Sequence, residues 1–144
     1  MIKDKAFDYA RSKHEGQKGA FGRDYFSTHC VKVASILELL VGDDDIICAA
    51  LLHDTIEDTD TSYDELVTEF GQEIATIVLM VTNDNGEDHF PRLQADKYNE
   101  LYHKAVIVKF ADRLANISRK FRDDDDWSDE RIYRYLSKSR FWDI

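Results

Sequence analysis

The chain has 144 residues, of which 43% are hydrophobic, and its formal net charge at pH 7 is −10. This length and apolar content predict a single folded domain, spanning residues 1–144, that can bury a real core. The acidic balance argues against a nucleic-acid duplex or an anionic membrane as the main partner. A small phosphorylated molecule is not excluded, because one metal ion and a few basic groups can reverse the local charge.

The two cysteines indicate a reducing compartment. Cys30 and Cys48 lie in apolar surroundings without CxxC spacing, which is typical of buried free thiols. No apolar segment resembling a signal peptide occurs near the N-terminus, and the longest apolar run is too short to span a bilayer. We therefore expect a cytoplasmic protein. Its oligomeric state stays open, with a homo-oligomer among the alternatives.

Helical periodicity dominates the sequence and predicts an all-α bundle, with a single Pro and six Gly to interrupt it. A loop from His14 to Asp24 and a mobile loop from Asn83 to Asp88 separate some of the helices. In chain order, the predicted helices cover Ile2 to about Lys13, a segment from Tyr25 to Gly42, a segment after Asp45, Asp64 to Phe70, Glu73 to Val81, about Arg92 to Arg119 with an interruption near Tyr102, and a last segment capped by Ser128.

The most informative stretch runs from Cys48 to Thr59, where an apolar helix leads directly into polar side chains. These are His53, Asp54, Glu57 and Asp58. In one continuous helix their spacing would place all of them on one face. Three carboxylates and an imidazole at the end of a buried helix are unfavourable unless a cation or dense hydrogen bonding offsets them. A divalent metal site is one explanation, and a solvated acidic helix end is the other.

Two further polar intrusions into apolar helices strengthen the metal interpretation. His29 lies in an early helix, and Asp112 lies in a late helix with Asn116 one turn later. Taken alone, His29 could be a hydrogen-bonded core histidine, and Asp112 could pair with Lys109 or Arg113. Together with the His-Asp pair they supply two imidazoles and two carboxylates. That mixed set suits Mn²⁺, Fe²⁺ or Zn²⁺, with Mg²⁺ as a further alternative.

These residues carry a family resemblance. The order His29, His53-Asp54, Asp112 resembles the H…HD…D signature of the HD-domain phosphohydrolases. The segment from Ala49 to Thr59 is similar to the HDxxED box of the RelA/SpoT-type hydrolase domains, and Val108 to Asn116 is similar to their VKLADRLxN segment. The FG and VT segments also have counterparts, at Phe70-Gly71 and Val81-Thr82. The likeness covers nearly the whole chain without a synthetase or regulatory domain, as in a stand-alone small alarmone hydrolase of the Mesh1-like type.

The resemblance implies an all-α HD bundle and a Mn²⁺-dependent reaction. That reaction removes the 3′-pyrophosphate of the guanosine polyphosphates ppGpp and pppGpp, giving GDP or GTP and pyrophosphate. The metal ligands carried over by the resemblance are His29, His53, Asp54 and Asp112. Glu57 and Asp58 would orient and deprotonate the attacking water. Asn116, Arg131 and Tyr135 would contact the substrate, although an ordinary exposed helix face is the alternative for Arg131 and Tyr135.

The sequence departs from the family pattern around the substrate. The family's HxGQxR loop usually carries an Arg where this chain has Gly19, and Lys18 or Arg23 could supply the missing charge. The family's G-x-P-Y segment reads Gly-Arg-Asp-Tyr from position 22 to 25, and a Lys after the VT segment is lost. Two alternatives therefore stay open: another phosphorylated nucleotide as the substrate, or a non-catalytic HD module that binds a nucleotide.

Overall fold

The computed structural model describes residues 1–19, 22–82, 99–122, 128, 130–131 and 134, with side chains to residue 117 in the third of these ranges. Its helices are α1 (Ile2–Lys13), a π-turn (Phe26–Cys30), α2 (Val31–Leu40), α3 (Asp44–Leu52), α4 (Thr55–Asp58), α5 (Tyr63–Phe70), α6 (Gln72–Met80) and α7 (Tyr102–Arg122). Extended structure in these ranges is limited to an isolated bridge between Lys18 and Asp24. The prediction of an all-α bundle is confirmed.

Helix α3 is the centre of the bundle. Its residues from Ile46 to Leu52 are all buried and apolar, so the helix can only be stable when it is covered on every side. Helices α1, α2, α6 and α7 provide that cover. At its N-terminus, Asp43 Oδ1 accepts a hydrogen bond of 3.1 Å from Ile46 N, which caps the helix. Because the other end points into the interior, the residues that follow Leu52 also enter it.

The helix ends at Leu52, so the continuous helix that would place His53, Asp54, Glu57 and Asp58 on one face does not form. The His53 amide donates to Ala50 O, three residues back rather than four, at 3.4 Å. The Thr55 hydroxyl donates to Leu52 O at 2.7 Å and starts the short helix α4. His53 and Asp54 therefore form a turn between two helices.

The break separates the four polar side chains that the sequence placed on one face. His53 and Asp54 are buried in the turn, whereas Glu57 and Asp58 are exposed residues of α4. A straight helix would have carried all of them along one surface. The turn instead directs one His-Asp pair into the core and leaves the second acidic pair near its edge.

The π-turn places His29 in the core. An i→i+5 turn widens the helix and shifts the side chains that follow it around the axis. Phe26, His29 and Cys30 are all buried here. Asp24 Oδ2 accepts a hydrogen bond of 3.0 Å from Ser27 N and so fixes the start of the turn. Helix α2 continues from it and packs against α3 and α7.

The remaining helices largely follow the sequence prediction. Ser62 caps α5 by accepting a hydrogen bond of 3.1 Å from Glu65 N, and Gly71, with a φ of 93°, separates α5 from α6. Helix α7 begins at Tyr102, where the interruption was predicted. Arg131 N donates to Ser128 Oγ at 3.2 Å, as predicted for the last helix. The earlier part of the predicted long helix and the loop from Asn83 to Asp88 lie outside the described residues.

None of the helices in the described ranges combines the length and the apolar content that crossing a bilayer requires.

Candidate metal centre

Four buried polar side chains meet where the π-turn, the α3–α4 break and α7 come together. His29 comes from the π-turn, His53 and Asp54 from the break, and Asp112 from the middle of α7. Each is at most 9% exposed. Buried imidazoles and carboxylates are retained only when they are paired or bind a metal. The free-energy cost of burying this cluster must therefore be offset in one of these ways.

The ligand atoms of the cluster converge closely. His29 Nε2 and His53 Nε2 are 3.3 Å apart. Asp112 Oδ1 lies 2.9 Å from His29 Nε2 and 3.3 Å from His53 Nε2. Asp54 Oδ2 lies 3.0 Å from His53 Nε2 and 3.6 Å from His29 Nε2. The ligand atoms of His29, His53 and Asp54 all fall within 4.8 Å of one another, so that a single ion could contact them together.

The tautomer of His53 fits a metal ligand. Its Nδ1 lies 2.6 Å from Ala50 O, and a carbonyl oxygen only accepts, so Nδ1 carries the proton and donates it. Nε2 is therefore the nitrogen that faces the cluster and can offer a lone pair. Metal-bound histidines usually donate their other ring N–H to a carbonyl or carboxylate in this way. The donor set, two imidazole nitrogens and two carboxylates, fits a divalent transition metal.

Two neighbours hold the carboxylates of the cluster. The Tyr25 hydroxyl donates to Asp54 Oδ2 at 2.5 Å. The Lys109 ammonium donates to Asp112 Oδ2 at 3.1 Å, and Lys109 is itself buried. In both cases a side chain outside the ligand set fixes the orientation of a carboxylate.

The electrostatics of the cluster keep its carboxylates ionised. Burial opposes a charge on Asp54, but the His53 imidazolium outweighs it and lowers the pKa of Asp54 to about 2. Burial likewise opposes a charge on Asp112, but Lys109 and the two histidines hold the pKa of Asp112 well below its usual range. The two carboxylates in turn outweigh the burial of His53 and hold its pKa well above the ordinary value. The two carboxylates are therefore ionised, and a metal that displaces the proton of His53 would meet two negative charges.

A cavity of about 160 Å³ opens onto the cluster. Besides the four cluster residues, its wall consists of Tyr25, Glu57, Val81, Val108, Lys109 and Asn116. Helix α4 thus contributes a carboxylate to the same space as the histidines. This volume is large enough for an ion, several waters and part of a substrate.

A sequence model of the HD domain matches residues 6–135. The chain belongs to the HD-domain family. The match spans the region from α1 to beyond α7 and so includes all four residues of the candidate centre. The resemblance seen in the sequence is confirmed at the level of the family.

Several relatives of this HD domain are named guanosine-3′,5′-bis(diphosphate) 3′-pyrophosphohydrolases. The zebrafish (Danio rerio) protein MESH1 is 38% identical over 136 residues, which cover 90% of this chain and 75% of that protein. Human MESH1 is 38% identical over 138 residues, covering 91% of this chain and 76% of that protein. The Aquifex aeolicus enzyme of the same name is 38% identical over 119 residues, but the match spans only 17% of its length.

A solved structure supports the same relationship. It is described as a metazoan ortholog of SpoT that hydrolyses ppGpp and plays a role in starvation responses. The two folds superpose with a TM-score of 0.76 at 28% sequence identity, covering 97% of this chain and 82% of the other.

The structure brings some of the other predicted site residues to the cavity of the HD domain. Glu57 and Asn116 line it. Asp58, the second predicted acid, instead accepts a hydrogen bond of 3.3 Å from Gln17 Nε2. Lys18 and Arg23 are exposed residues of the loop before the π-turn. The described wall of the cavity does not include them.

Two predicted substrate contacts lie at the C-terminal end of the chain. Arg131 is exposed and follows the cap at Ser128. Tyr135 lies outside the described residues. Both assignments stay predictions.

Three residues with direct contacts to the site were not assigned a role from the sequence: Tyr25, Lys109 and Gln17. The sequence did offer Lys109 as a possible partner of Asp112, three positions later on the same helix, and the structure contains this pair. Tyr25 and Gln17 contact Asp54 and Asp58 across more than 25 positions of the chain. No local pattern reports such a pairing.

Proposed function

We propose that this HD domain, formed by residues 1–144 as a single unit, is a metal-dependent hydrolase that removes the 3′-pyrophosphate of ppGpp and pppGpp. The products would be GDP or GTP and pyrophosphate. The observation that carries the proposal is the convergence of two imidazole nitrogens and two carboxylates on one cavity. Relatives at 38% identity that are named as 3′-pyrophosphohydrolases supply the substrate class.

His29, His53, Asp54 and Asp112 are the proposed ligands, and Mn²⁺ is the proposed ion, with Fe²⁺, Zn²⁺ or Mg²⁺ as alternatives. A bound divalent ion lowers the pKa of a coordinated water and polarises a phosphoryl oxygen. The histidine lone pairs and the ionised carboxylates are the groups that such an ion requires. The second carboxylate oxygen of Asp112 is occupied by Lys109, which leaves Oδ1 directed at the histidines.

Glu57 is the proposed general base. Its carboxylate lines the cavity and belongs to an exposed turn of α4, where it can accept a proton from the attacking water and release it to solvent. Asp58 lies beside it and would orient that water. In the reaction the water oxygen would bond to the phosphorus attached to the ribose 3′-oxygen, and its proton would pass to the Glu57 carboxylate. The bond between that phosphorus and the 3′-oxygen would break, and the 3′-oxygen would take up a proton, which gives GDP or GTP and pyrophosphate.

The proposed substrate contacts are Asn116, from the cavity wall, with Arg131, Tyr135 and either Lys18 or Arg23 from outside it. Lys109 is also buried in the wall and adds positive charge to a strongly acidic chain. Basic groups stabilise the charge that builds on a transferring phosphoryl group. We further propose a cytosolic location, which the two buried free cysteines favour, and leave the homo-oligomer as an alternative to a monomer.

Pyrophosphate release from ppGpp tests the function directly. The purified protein is assayed with Mn²⁺, with a chelator, and with a panel of ordinary nucleotides, and Asp54→Ala serves as the inactive control. Mn²⁺-dependent release from ppGpp, absent in the chelated sample and in the control, supports the proposal. Turnover of another phosphorylated nucleotide alone would mean that the centre serves a different substrate. Metal binding without turnover of any nucleotide would indicate a non-catalytic module.

A further inference from the structure

A second polar connection links the end of α1 to the acidic pair of α4. His14, at the end of α1, is only 1% exposed. Its Nδ1 lies 2.7 Å from Gln17 Oε1. The Gln17 amide nitrogen in turn donates to Asp58 Oδ2 at 3.3 Å. These contacts form one chain of hydrogen bonds from a buried imidazole to a carboxylate of the proposed catalytic pair.

The direction of each hydrogen bond in the chain follows from the chemistry of the groups. Asp58 accepts when ionised, so the amide nitrogen of Gln17 must face it and the amide oxygen must face His14. An amide oxygen only accepts, so Nδ1 of His14 carries the proton. His14 therefore fixes which way the Gln17 amide points, and Gln17 holds Asp58 Oδ2 and thereby orients Oδ1.

Two observations argue that these hydrogen bonds do more than stabilise the conformation of the loop. The backbone of Gln17 is already anchored, because its amide donates to His14 O at 2.9 Å and its carbonyl accepts from Tyr25 N at 3.0 Å. The loop therefore does not need the Gln17 side chain. In addition, His14 Nε2 is buried without a hydrogen-bond partner in the part of the chain described. A buried polar atom without a partner is unfavourable and is retained where another requirement outweighs its cost.

We propose that His14 and Gln17 are positioning residues that hold the Asp58 carboxylate in the orientation needed to handle the attacking water. This inference rests on the proposed function, because it assigns Asp58 to the reaction. The side chains of His14 and Gln17 would not touch the substrate. They act through Asp58 alone, so their loss should lower kcat much more than it changes KM.

The groups around Asp58 allow a direct measurement of the effect. Partial desolvation of the Asp58 carboxyl group and the negative charge of Asp54 raise its pKa. The Gln17 hydrogen bond lowers that pKa, as do positive charges on His14 and His53. Replacing the amide donor by a carboxylate, as in Gln17→Glu, keeps an acceptor for His14 but places two acidic groups together. The pKa of Asp58 should then rise further.

The first experiment compares Gln17→Glu with the matched control Gln72→Glu, an exposed position at the start of α6. We expect kcat to fall by roughly tenfold to a hundredfold for Gln17→Glu, part of the factor that a correctly placed base supplies. The acid limb of its kcat–pH profile should move to higher pH, and its metal content should equal that of the wild-type protein. Carbon-13 NMR of the Asp58 carboxyl group should show a raised pKa. An unchanged carboxyl pKa and pH profile would overturn the proposal.

The second experiment tests whether the Nδ1–H group of His14 orients the Gln17 amide. His14→Phe keeps the ring but removes Nδ1–H, whereas His14→Asn keeps an N–H donor at a similar place. We expect the Phe variant to lose activity and the Asn variant to recover much of it, with His103→Phe as the exposed control. Equal losses of activity in both variants would show that His14 acts only through packing and would overturn its role as a positioning residue. If the wild-type protein hydrolyses no nucleotide, the proposed function fails by itself, and the Asp58 titration in Gln17→Glu still decides whether the chain of hydrogen bonds holds.

Discussion

The Tyr25 hydroxyl donates a hydrogen bond of 2.5 Å to Asp54 Oδ2, the oxygen that also faces both histidines of the centre. Tyr25 is thus part of the support of the site, although it supplies no ligand. Its ring also packs against His29, with ring centroids 5.2 Å apart. One aromatic residue therefore positions a carboxylate through its hydroxyl and an imidazole through its ring.

Removing only the hydroxyl, as in Tyr25→Phe, should weaken metal binding while the packing against His29 remains. We expect the metal affinity to fall by about tenfold to a hundredfold, the usual effect of losing a partner that orients a ligand. Titration calorimetry with Mn²⁺ measures the change. Tyr102→Phe on α7 is the matched control and should bind as the wild-type protein does. Equal affinities for the two variants would show that the hydroxyl does not orient Asp54.

Substitutions at Asp54 and at Glu57 should affect metal binding and catalysis differently. Asp54 contributes an oxygen to the cluster, so Asp54→Ala should release the metal and abolish activity. Glu57 lines the cavity but is not one of the four proposed ligands, so Glu57→Gln should keep the metal and lose at least about a hundredfold in kcat. Elemental analysis of both purified variants, alongside the activity assay, checks this. Metal-free Glu57→Gln protein would mean that Glu57 is a ligand.

The fold class and the residues of the buried polar cluster could be predicted from the sequence because their signals are local. Helical periodicity gave the bundle, and polar residues inside apolar helices marked His29, His53 and Asp112. The structure brings these residues together, since His29 and Asp112 contact each other from separate helices. Hydrophobic helices must pack, and packing brings their few polar positions to one place.

The break between α3 and α4 was missed because nothing in the local composition requires it. Thr55 has ordinary helical neighbours, and the break is seen only in the hydrogen bonds of the folded chain, from the His53 amide to Ala50 O and from the Thr55 hydroxyl to Leu52 O. The contacts of Tyr25 and Gln17 were missed for a different reason. They join the loop before the π-turn to the α3–α4 break and to α4, and the partners of a loop are set by tertiary packing rather than by periodicity.

Metal binding should release a proton at neutral pH. In the metal-free protein, Asp54 and Asp112 hold the pKa of His53 well above its ordinary value, against the effect of burial, so its Nε2 is protonated at pH 7. A metal needs the lone pair of that nitrogen and expels the proton. Affinity should therefore rise with pH up to the folded-state pKa of His53. Calorimetry in two buffers of different ionisation enthalpy measures the release, and identical heats in both would contradict it.

The same proton should influence the stability of the chelated protein. A histidine whose pKa is higher in the folded than in the unfolded state stabilises the folded protein. This contribution is complete at a pH below the unfolded-state pKa of about 6.5. That contribution is lost as the pH rises through the folded-state pKa of His53. The melting temperature with chelator should consequently fall on the alkaline side of neutrality. With Mn²⁺ bound, the decline should be smaller, because the metal replaces the proton.

Lys109→Met should destabilise the metal-free protein more than the metal-bound one. The change keeps the length of the side chain but leaves the buried Asp112 without its 3.1 Å ammonium partner. Breaking a buried pair by removing one partner costs about 3 kcal/mol or more. A bound cation can offset part of that loss, because it also neutralises Asp112. Urea unfolding with chelator and with Mn²⁺ measures the free energy of unfolding in each state.

The matched control for this change is Lys104→Met. Lys104 lies 3.4 Å from Asp43 in a more exposed pair, and such pairs contribute about 1 kcal/mol or less. Its effect should be small and independent of the metal. If Lys109→Met destabilised the protein equally with chelator and with Mn²⁺, Asp112 would not be neutralised by the ion, and its assignment as a ligand would be wrong.

Gly19→Arg should restore the positive charge that the family resemblance places at this position. A Cβ at Gly19 would meet the Tyr25 ring at 3.4 Å, an ordinary contact, and Tyr25 lines the cavity. An arginine there can extend over the wall of the cavity towards substrate phosphates. One charge-assisted hydrogen bond of about 1.5 kcal/mol would lower KM for ppGpp about tenfold, and kcat should stay unchanged. Ser12→Arg adds the same charge on the exposed face of α1 and controls for net charge. Equal KM values in the two variants would exclude position 19 from substrate binding.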